Sequence, residues 1–506
     1  MAKIIVQQIE IQNFRSIKSI KINCHDNNLI LGANNSGKTT IIDALRWFFT
    51  KEYKFESLRD LPVGKPKSIP SVSVTLSNNK KITLKLEKDK AIYIIDKKDK
   101  KYTNLDTVFH DLKMNLNVLY IPSVTNVNDY VKLSGQSPLR KILFEIISND
   151  IKKTPDKWSE YISSKNILLE NNNLIKTLNK KLTDWSVNLS LSCPEPDVED
   201  IVKNFIKLNV KENGVETCDV NTVGSGLQRQ LIFKLLETIA ETKNEEKINE
   251  NSLELFLYEE PEAFLHFDQQ QELARTLKKL SVPKQVFITT HSHAFLSRNI
   301  ADLKTVIRVY KENFKTKVVT IDNPKEIYNK NILDISSVFN KIHQEVECYR
   351  YFNYLDGIRG AMFFAEKVLL VEGQTEIALI NKLADDEKII LPRGMYITEV
   401  LGKFNMPRFM NLLKAYKIPY AVLHDLDKSE HQDKWNALIE KVGRNHNSKV
   451  YKFDNAVDLE RFVGVSVPER KDLKPLSILH KYETGEITKV NLDKFISLIN
   501  EIFQSF

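Results

Sequence analysis

A glycine-rich segment near the N-terminus has the residue types and spacing of a phosphate-binding loop. Residues 32–39 read GANNSGKT and match the pattern G-x-x-x-x-G-K-[ST] at every position. Glycines let backbone N–H groups wrap around phosphates, and a following helix adds the positive end of its dipole. We therefore expect ATP to bind here, with Lys38 on the β and γ phosphates and Thr39 on Mg²⁺. The predicted contacts are Gly32, Asn35, Ser36, Gly37, Lys38, Thr39 and Thr40.

Two adjacent glutamates follow the apolar run 255–258 (LFLY). In ATPases an acid at a strand end holds Mg²⁺, and a second acid orients the attacking water. We assign Glu259 to the metal and Glu260 to the water. A second apolar run, 286–290, ends at His291, where a side chain that senses the γ-phosphate would stand. A histidine at a strand end can equally be structural.

Small residues open a helical pattern at 224–230 (GSGLQRQ). The N–H groups at a helix start are free to bind a phosphate. Ser225, Gly226 and Gln228 are therefore further candidate nucleotide contacts.

Acidic residues also follow three apolar runs in the last third of the chain. Glu372 follows the run 367–371, and Asp425 and Asp427 follow the run 420–423. Alternate residues of an extended segment point the same way, so these two aspartates can share one metal ion. A third pair, Asp458 and Glu460, follows 449–453, although these two could be ordinary surface acids. Clustered carboxylates favour Mg²⁺ or Mn²⁺ over zinc.

The elements that must position these residues can be read from the hydrophobic pattern. Strands are expected at 3–11, 17–22, 28–31 and 119–122, a helix at 40–50, a meander at 71–96 and helical structure over 138–185. From about residue 361, strands at 367–371, 420–423 and 449–453 alternate with helices such as 376–383. This alternation predicts a parallel or mixed sheet with functional groups at the C-terminal strand ends.

Composition sets broad limits on the kind of protein. The chain of 506 residues is 42% hydrophobic and 28% charged, which is ordinary for a globular protein of two or three domains. It has neither an apolar stretch of membrane-spanning length nor a signal-peptide pattern, so we expect a cytoplasmic protein with no membrane partner. The net charge of +8 would suit a polyanion such as DNA. Four widely spaced cysteines argue against a disulfide framework or a zinc site.

The motifs of the first half, taken in order, resemble an ABC-type ATPase head. The segment 14–17 (FRSI) is similar to the opening of RecF- and SMC-like ATPases, although Glu259 stands where aspartate is more frequent. In such heads the segment at 224–230 faces the nucleotide of a partner subunit. The resemblance therefore implies a homo-oligomer, a dimer or tetramer, formed through the ATPase heads.

The acidic motifs of the second half, Glu372-Gly373 and Asp425-x-Asp427, resemble the TOPRIM domain. An ABC head followed by TOPRIM resembles the OLD (overcoming lysogenisation defect) family, which includes the nuclease subunit of Gabija-type systems. The expected fold class is α/β, an ATPase head with a helical dimerisation arm followed by a C-terminal TOPRIM domain. The expected boundaries are 1–140 and 191–345 for the head, 141–190 for the helical insert and 346–506 for TOPRIM.

The OLD resemblance implies an ATP-regulated, metal-dependent DNA endonuclease with a role in anti-phage defence. A helicase-like protein, or a reverse transcriptase with its non-coding RNA, would be an accessory partner. The implied catalytic residues are Glu260, His291, Glu372 and Lys474, and the implied metal ligands are Glu372, Glu376, Asp425, Asp427, Asp458 and Glu460. The main alternative is a RecF- or SMC-like DNA-binding ATPase whose TOPRIM domain is inert. A topoisomerase or primase is disfavoured, because neither a separate tyrosine-bearing domain nor a zinc module is evident.

Overall fold

The computed structural model describes most of the chain, and the chain divides into two compact units. One unit comprises Met1–Leu29 and Thr39–Thr290, and the other comprises Ile30–Lys38 and His291–Phe506. The described residues are 3–65, 67–88, 90–96, 100–123, 173–183, 187–192, 207–212, 218–219, 231, 234, 251–263, 265–297, 299–338, 355–427, 429–453 and 458–506.

The strands and helices of the described residues are numbered in chain order. The strands are β1 (Val6–Phe14), β2 (Ile17–Asn23), β3 (Asn27–Leu31), β4 (Ser71–Leu76), β5 (Lys81–Glu87), β6 (Lys90–Ile95), β7 (Lys101–Tyr102), β8 (Asn115–Ile121), β9 (Val187–Ser192), β10 (Lys207–Glu212), β11 (Cys218–Asp219), β12 (Ser252–Glu259), β13 (Gln285–Thr289), β14 (Val306–Glu312), β15 (Lys315–Val319), β16 (Lys367–Val371), β17 (Met395–Glu399), β18 (Tyr420–His424) and β19 (Lys449–Lys452). The helices are α1 (Lys38–Phe49), α2 (Ser57–Asp60), α3 (Leu105–Asp111), α4 (Asn173–Lys181), α5 (Phe267–Leu280), α6 (Lys325–Ser336), α7 (Gly357–Gly360), α8 (Gln374–Asp385), α9 (Met406–Ala415), α10 (Glu430–His446), α11 (Leu459–Phe462), α12 (Lys474–Glu483) and α13 (Lys489–Gln504). Short 3₁₀ turns lie at His293–Phe295, Ile300–Thr305, Ala361–Phe364, Lys403–Asn405 and Lys471–Leu473.

An antiparallel sheet with the order β2-β1-β4-β5-β6-β7 belongs to the first unit. Its strands β4 to β6 form the predicted meander over 71–96. The first strand runs over Val6–Phe14, further along the chain than the predicted 3–11, because its pairing with β2 continues to Phe14 opposite Ile17. Buried apolar side chains recur along β1, which is the pattern of a sheet with one covered face.

In the same unit β12 pairs in parallel with β8 on one side and with β13 on the other. Strands β12 and β13 are buried along almost their whole length and have apolar centres, as expected for strands that are covered on both faces. The register places Glu259 opposite Thr289, at the C-terminal edge of both strands. The two apolar runs that precede the predicted catalytic residues are therefore neighbouring strands.

The second unit contains a four-stranded parallel sheet with the order β17-β16-β18-β19. The three strands predicted here are present with ends within one residue, and α8 begins two residues before its predicted start. Strand β17 was not predicted, because its sequence MYITE is short and lacks the continuous apolar run of a buried strand. In the structure it is only partly buried. Helices α8, α12 and α13 supply apolar side chains to the core on this sheet, among them Leu379, Ile478 and Phe495.

The second unit also contains the antiparallel hairpin β14–β15. Of the predicted helical insert, the described residues are 173–183, which include α4, and 187–190, which are part of β9; the others lie outside the described residues. The domain boundaries given above stay predictions. Among the described residues no helix has the length and apolar character needed to cross a membrane.

Candidate nucleotide-binding and metal-binding sites

The phosphate-loop segment connects β3 to α1, as its motif requires. Gly32 and Gly37 have φ angles of +156° and +111°, and Asn35 has +62°. A Cβ atom on Gly32 would lie 2.1 Å from the carbonyl oxygen of Val309, and one on Gly37 would lie 2.3 Å from Thr316 Oγ1. Both positions therefore need glycine for space as well as for conformation.

Within the loop, polar groups are gathered where phosphates would bind. Lys38 Nζ donates hydrogen bonds of 3.0 Å to the carbonyl oxygens of Gly32 and Ala33. The buried hydroxyl of Ser36 has no hydrogen-bond partner among the described residues. Thr316 on β15 donates to the carbonyl oxygen of Ser36 at 2.9 Å, which ties the loop to the β14–β15 hairpin.

Glu259 lies at the end of β12 and is almost fully buried. Burial raises the pKa of its carboxyl to about 7, and the Asp43 carboxylate also raises it, while Tyr120, Arg46 and Thr39 act in the opposite direction. The Tyr120 hydroxyl donates a hydrogen bond to it. Glu259 is thus a buried carboxyl that ionises reluctantly, and it lies beside the predicted Mg²⁺ ligand Thr39. A cation bound here would stabilise its ionised form.

Glu260 has left-handed backbone geometry, with φ +47°. Its N–H donates to the carbonyl oxygen of Thr289 at 2.8 Å, so the turn after β12 is fixed to the end of β13. Sequence reasoning missed Tyr120, since only the register of β8 with β12 brings it to Glu259.

Strand β13 ends at Thr289, and His291 is the second residue after it. Burial lowers the pKa of its imidazole to about 4, and the positive charge of Lys38 acts in the same direction. The ring is therefore neutral at pH 7 and could bind a phosphate oxygen without adding charge. Its ring centroid lies 6.5 Å from that of Phe364, in the 3₁₀ turn that precedes β16.

The second group of predicted residues gathers at the C-terminal edge of the parallel sheet. Parallel pairing of Val371 with Leu423 places the ends of β16 and β18 side by side. Glu372 follows β16, and Asp425 follows β18. A cavity of about 280 Å³ lies at this edge. Its lining includes the predicted residues Glu372, Glu376, Asp425, Glu460 and Lys474, together with Glu399, which was not predicted.

The carboxyl groups around this cavity are crowded and buried. Burial raises the pKa of Asp425 to about 9, with Glu376 and Glu372 adding to the effect. Burial likewise raises the pKa of Glu376 to about 8, and it raises that of Glu372. Such shifts mean that a positive charge placed between these groups would be strongly favoured.

Three carboxylate oxygens at this site are buried and have no hydrogen-bond partner in the described part of the chain: Glu372 Oε2, Asp425 Oδ1 and Glu460 Oε1. Hard oxygen donors of this kind fit Mg²⁺ or Mn²⁺. Among the described residues, however, no three His, Cys, Asp or Glu side chains already surround a single metal position. The site is thus a lined cavity, which suits an ion such as Mg²⁺ that retains several of its waters.

The remaining predicted ligands contact lysines. Lys474, at the start of α12, has its Nζ 3.0 Å from Glu460 Oε2 and 3.8 Å from Asp458 Oδ2. Asp458 also caps α11 by accepting from the N–H of Arg461. Lys403 Nζ lies 2.8 Å from Asp427 Oδ2. Sequence reasoning missed Lys403, because β17 before it was not recognised as a strand of this sheet.

The remaining predicted nucleotide contacts belong to the segment 224–230 and to the start of α1. Ser225, Gly226 and Gln228 lie outside the described residues. Thr40 lies in the first turn of α1 and is buried.

Comparisons with known proteins address the identity of both halves. The family described as "AAA ATPase domain" matches residues 5–186 and 118–296, more than half of the chain. The chain belongs to this ATPase family. The family described as "Overcoming lysogenization defect protein-like, TOPRIM domain" matches residues 363–427, which include Glu372, Asp425 and Asp427. The predicted fold class, an α/β ATPase head followed by a TOPRIM domain, is confirmed.

Relatives similar over most of the chain include two proteins named as nucleases. The Old nuclease of Escherichia phage P2 is 26% identical, over 88% of this chain and 84% of that protein. Endonuclease GajA of Bacillus cereus (strain VD045) is 23% identical, over 98% of this chain and 89% of that protein. The predicted relationship of this ATPase to the OLD family is thereby confirmed. A solved SMC head bound to the C-terminal winged-helix domain of ScpA aligns with 64% of this chain and 99% of that one, at 16% identity and a TM-score of 0.46.

Proposed function

We propose that this ATPase is an ATP-regulated, divalent-metal-dependent DNA endonuclease. The observation that carries the proposal is the cavity at the edge of the parallel sheet, where Glu372, Glu376, Asp425, Glu460 and Lys474 converge. Buried carboxylate oxygens beside an ammonium group form a combination suited to phosphodiester chemistry. The names of the two similar nucleases and the net charge of +8 support DNA as the substrate.

Each group in the cavity has a distinct part in the proposed reaction. Glu372, Glu376 and Asp425 would hold the divalent cation, which when bound supplies a Lewis acid for phosphodiester hydrolysis. Lys474 would offset the negative charge that develops on the phosphate. Glu460 accepts a hydrogen bond from Lys474 and so holds that ammonium group at the wall of the cavity.

Regulation by ATP is supported by contacts within the second unit. The phosphate loop contacts the β14–β15 hairpin through Thr316 and Val309. On the same hairpin the buried Arg308 donates to the carbonyl oxygens of Ala365, Tyr416 and Lys417 at 3.1 to 3.2 Å. These carbonyls lie just before β16 and β18, whose far ends lead to Glu372 and Asp425. Rigid strands could therefore relay a change in the loop to the acidic cavity.

A plasmid assay tests the nuclease and its separation from the ATPase. Supercoiled and linear DNA are incubated with the full chain and Mg²⁺ or Mn²⁺ over a range of ATP concentrations. We expect Glu372→Gln to abolish cutting while ATP hydrolysis persists, and the exposed Glu387→Gln to cut like wild type. Lys38→Ala should lose ATP hydrolysis and the dependence of cutting on nucleotide. Undiminished cutting by Glu372→Gln would show that this cavity is not the nuclease site.

The alternative is a DNA-binding ATPase with an inert TOPRIM domain. It is favoured by the two lysines, Lys403 and Lys474, which already contact carboxylates of the site. This alternative would be established if wild-type protein binds DNA and hydrolyses ATP but leaves DNA intact under every condition of the plasmid assay.

The proposed biological role is defence against phages, with oligomerisation through the ATPase heads. A helicase-like protein, or a reverse transcriptase with non-coding RNA, is the proposed accessory partner. Plaque counts on cells that express wild type or Glu372→Gln, with and without the neighbouring genes, test this role. Equal plaque counts for all strains would contradict the proposed role in defence against phages.

A further inference from the structure

A buried lysine that no motif identified lies within the acidic site. Lys403 is 2% exposed. Its Nζ is 2.8 Å from Asp427 Oδ2 and 3.9 Å from Glu372 Oε2. These two carboxylates come from the ends of different strands, β18 and β16, so the ammonium group joins the two strand ends. Fully buried lysines are rare unless they are paired.

The backbone is built to bring this lysine inward. Leu401 and Gly402, which are separated from β17 by Val400, both have left-handed geometry, with φ +59° and +93°. The Gly402 N–H donates to the carbonyl oxygen of Glu372 at 3.1 Å, and the Asn405 side chain donates to the carbonyl oxygen of Leu401 at 2.8 Å. This turn is thus fixed to the end of β16 before Lys403 begins its 3₁₀ turn.

The contact with Lys403 also stabilises Asp427. Asp427 has φ +38°, a conformation that a non-glycine residue adopts at a cost in energy. The hydrogen bond from Lys403 offsets that cost and fixes the direction of the carboxylate. Without it, Asp427 would have an unfavourable backbone and a carboxylate facing other carboxylates.

The two lysines contact four of the six carboxylates in the cluster. Lys403 contacts Glu372 and Asp427, and Lys474 contacts Glu460 and Asp458. Asp425 and Glu376 each interact electrostatically with members of both groups, and buried oxygens of Asp425 and Glu460 have no hydrogen-bond partner among the described residues. The two ammonium groups thus leave the centre of the cluster, around Asp425 and Glu376, to a divalent cation.

We propose that Lys403 is a positioning residue that holds Glu372 and Asp427 together before a divalent cation binds, and that it competes with that cation for their charge. The inference rests on the proposed function, since it concerns the same cation site. It predicts that the lysine makes the fold less dependent on the cation and also weakens cation binding.

Thermal unfolding of the full chain without nucleotide tests the inference, with EDTA or Mn²⁺ present. Lys403→Met keeps the length of the side chain and removes its charge. We expect its Tm in EDTA to fall below that of wild type, and Mn²⁺ to raise its Tm by more than it raises that of wild type. Titration with Mn²⁺ alone should show binding about tenfold tighter than in wild type, because a like charge has been removed.

Two further variants separate positioning from simple packing. Lys284 is also buried and is paired with Glu254, so Lys284→Met should lower the Tm equally in EDTA and in Mn²⁺. Lys403→Met combined with Asp427→Asn removes both charges and should lose the enhanced response to Mn²⁺. If Lys403→Met behaves like Lys284→Met, the inference is wrong and Lys403 only supports packing. If wild type itself binds no Mn²⁺, both the inference and the proposed metal site fail.

Discussion

The hydroxyl of Tyr120 donates a hydrogen bond of 2.6 Å to Oε1 of Glu259. The two residues lie on neighbouring parallel strands, β8 and β12, and both are buried. This bond favours the ionised form of a carboxyl whose pKa burial raises to about 7. The phenol therefore tunes the proposed Mg²⁺ ligand.

Tyr120→Phe should raise the pKa of Glu259 further, because a donor to its ionised form is lost. Near neutral pH less of the carboxylate would then be available for Mg²⁺. We expect ATP hydrolysis to fall about tenfold at pH 7 and its pH profile to move towards higher pH. Steady-state rates over a range of pH measure both effects. Tyr102→Phe, which removes a hydroxyl bonded to Asp111, is the matched control and should leave the profile unchanged.

Gly32→Ala should disrupt the phosphate loop, because the new methyl group would lie 2.1 Å from the carbonyl oxygen of Val309. A backbone oxygen cannot move away cheaply, so we expect a loss of about 1–3 kcal/mol in the free energy of unfolding. Binding of a fluorescent ATP analogue should also be lost. Gly64→Ala is the control: its φ of +75° is also positive, but the added Cβ would meet nothing within 4 Å. Normal ATP binding by Gly32→Ala would contradict the assignment of this loop.

Arg308→Met should weaken the second unit and uncouple the two proposed sites. The substitution leaves the carbonyl oxygens of Ala365, Tyr416 and Lys417 without their charged donor. We expect the free energy of unfolding to fall by about 2–4 kcal/mol. The effect of ATP on DNA cutting should shrink, while basal cutting at a temperature where the variant is folded should remain. Arg393→Met, at an exposed arginine of the same unit, should change neither quantity.

Stability without metal should decrease as the pH rises. The pKa values of Asp425 and Glu376, about 9 and about 8, lie above those of the unfolded chain. The fold thus favours their protonated forms, and this stabilisation is complete below about pH 4 and is lost as the pH passes through 8 to 9. In EDTA we expect the Tm to drop between about pH 6 and pH 9. Mg²⁺ should reduce that drop.

The matched variants for this pH effect are Asp425→Asn and Asp385→Asn. The first removes a buried titrating group and should flatten the dependence of Tm on pH in EDTA. The second changes an exposed aspartate of α8 and should retain the wild-type slope. Equal slopes for both variants would mean that the acidic cavity does not control the pH dependence.

Local motifs and strand ends were predictable from the sequence. The phosphate-loop motif is a set of consecutive residues, so its place between β3 and α1 follows from the order of residues alone. Glu259, His291, Glu372 and Asp425 each follow a run of apolar residues. Such runs form buried parallel strands, and within each sheet the ends of neighbouring strands meet at one edge. The resemblance to OLD proteins rested on the same residues.

Only the tertiary structure decided which side chains meet those residues. Tyr120 contacts Glu259 because the register of two strands far apart in the chain brings them together. Arg308, on the β14–β15 hairpin, contacts Ala365 and Lys417, which lie outside that hairpin. Lys403 reaches Asp427 because two left-handed residues turn the chain inward after a strand too short to be recognised. These contacts depend on strand register and on single backbone angles, and neither leaves a periodic pattern of residue types in the sequence.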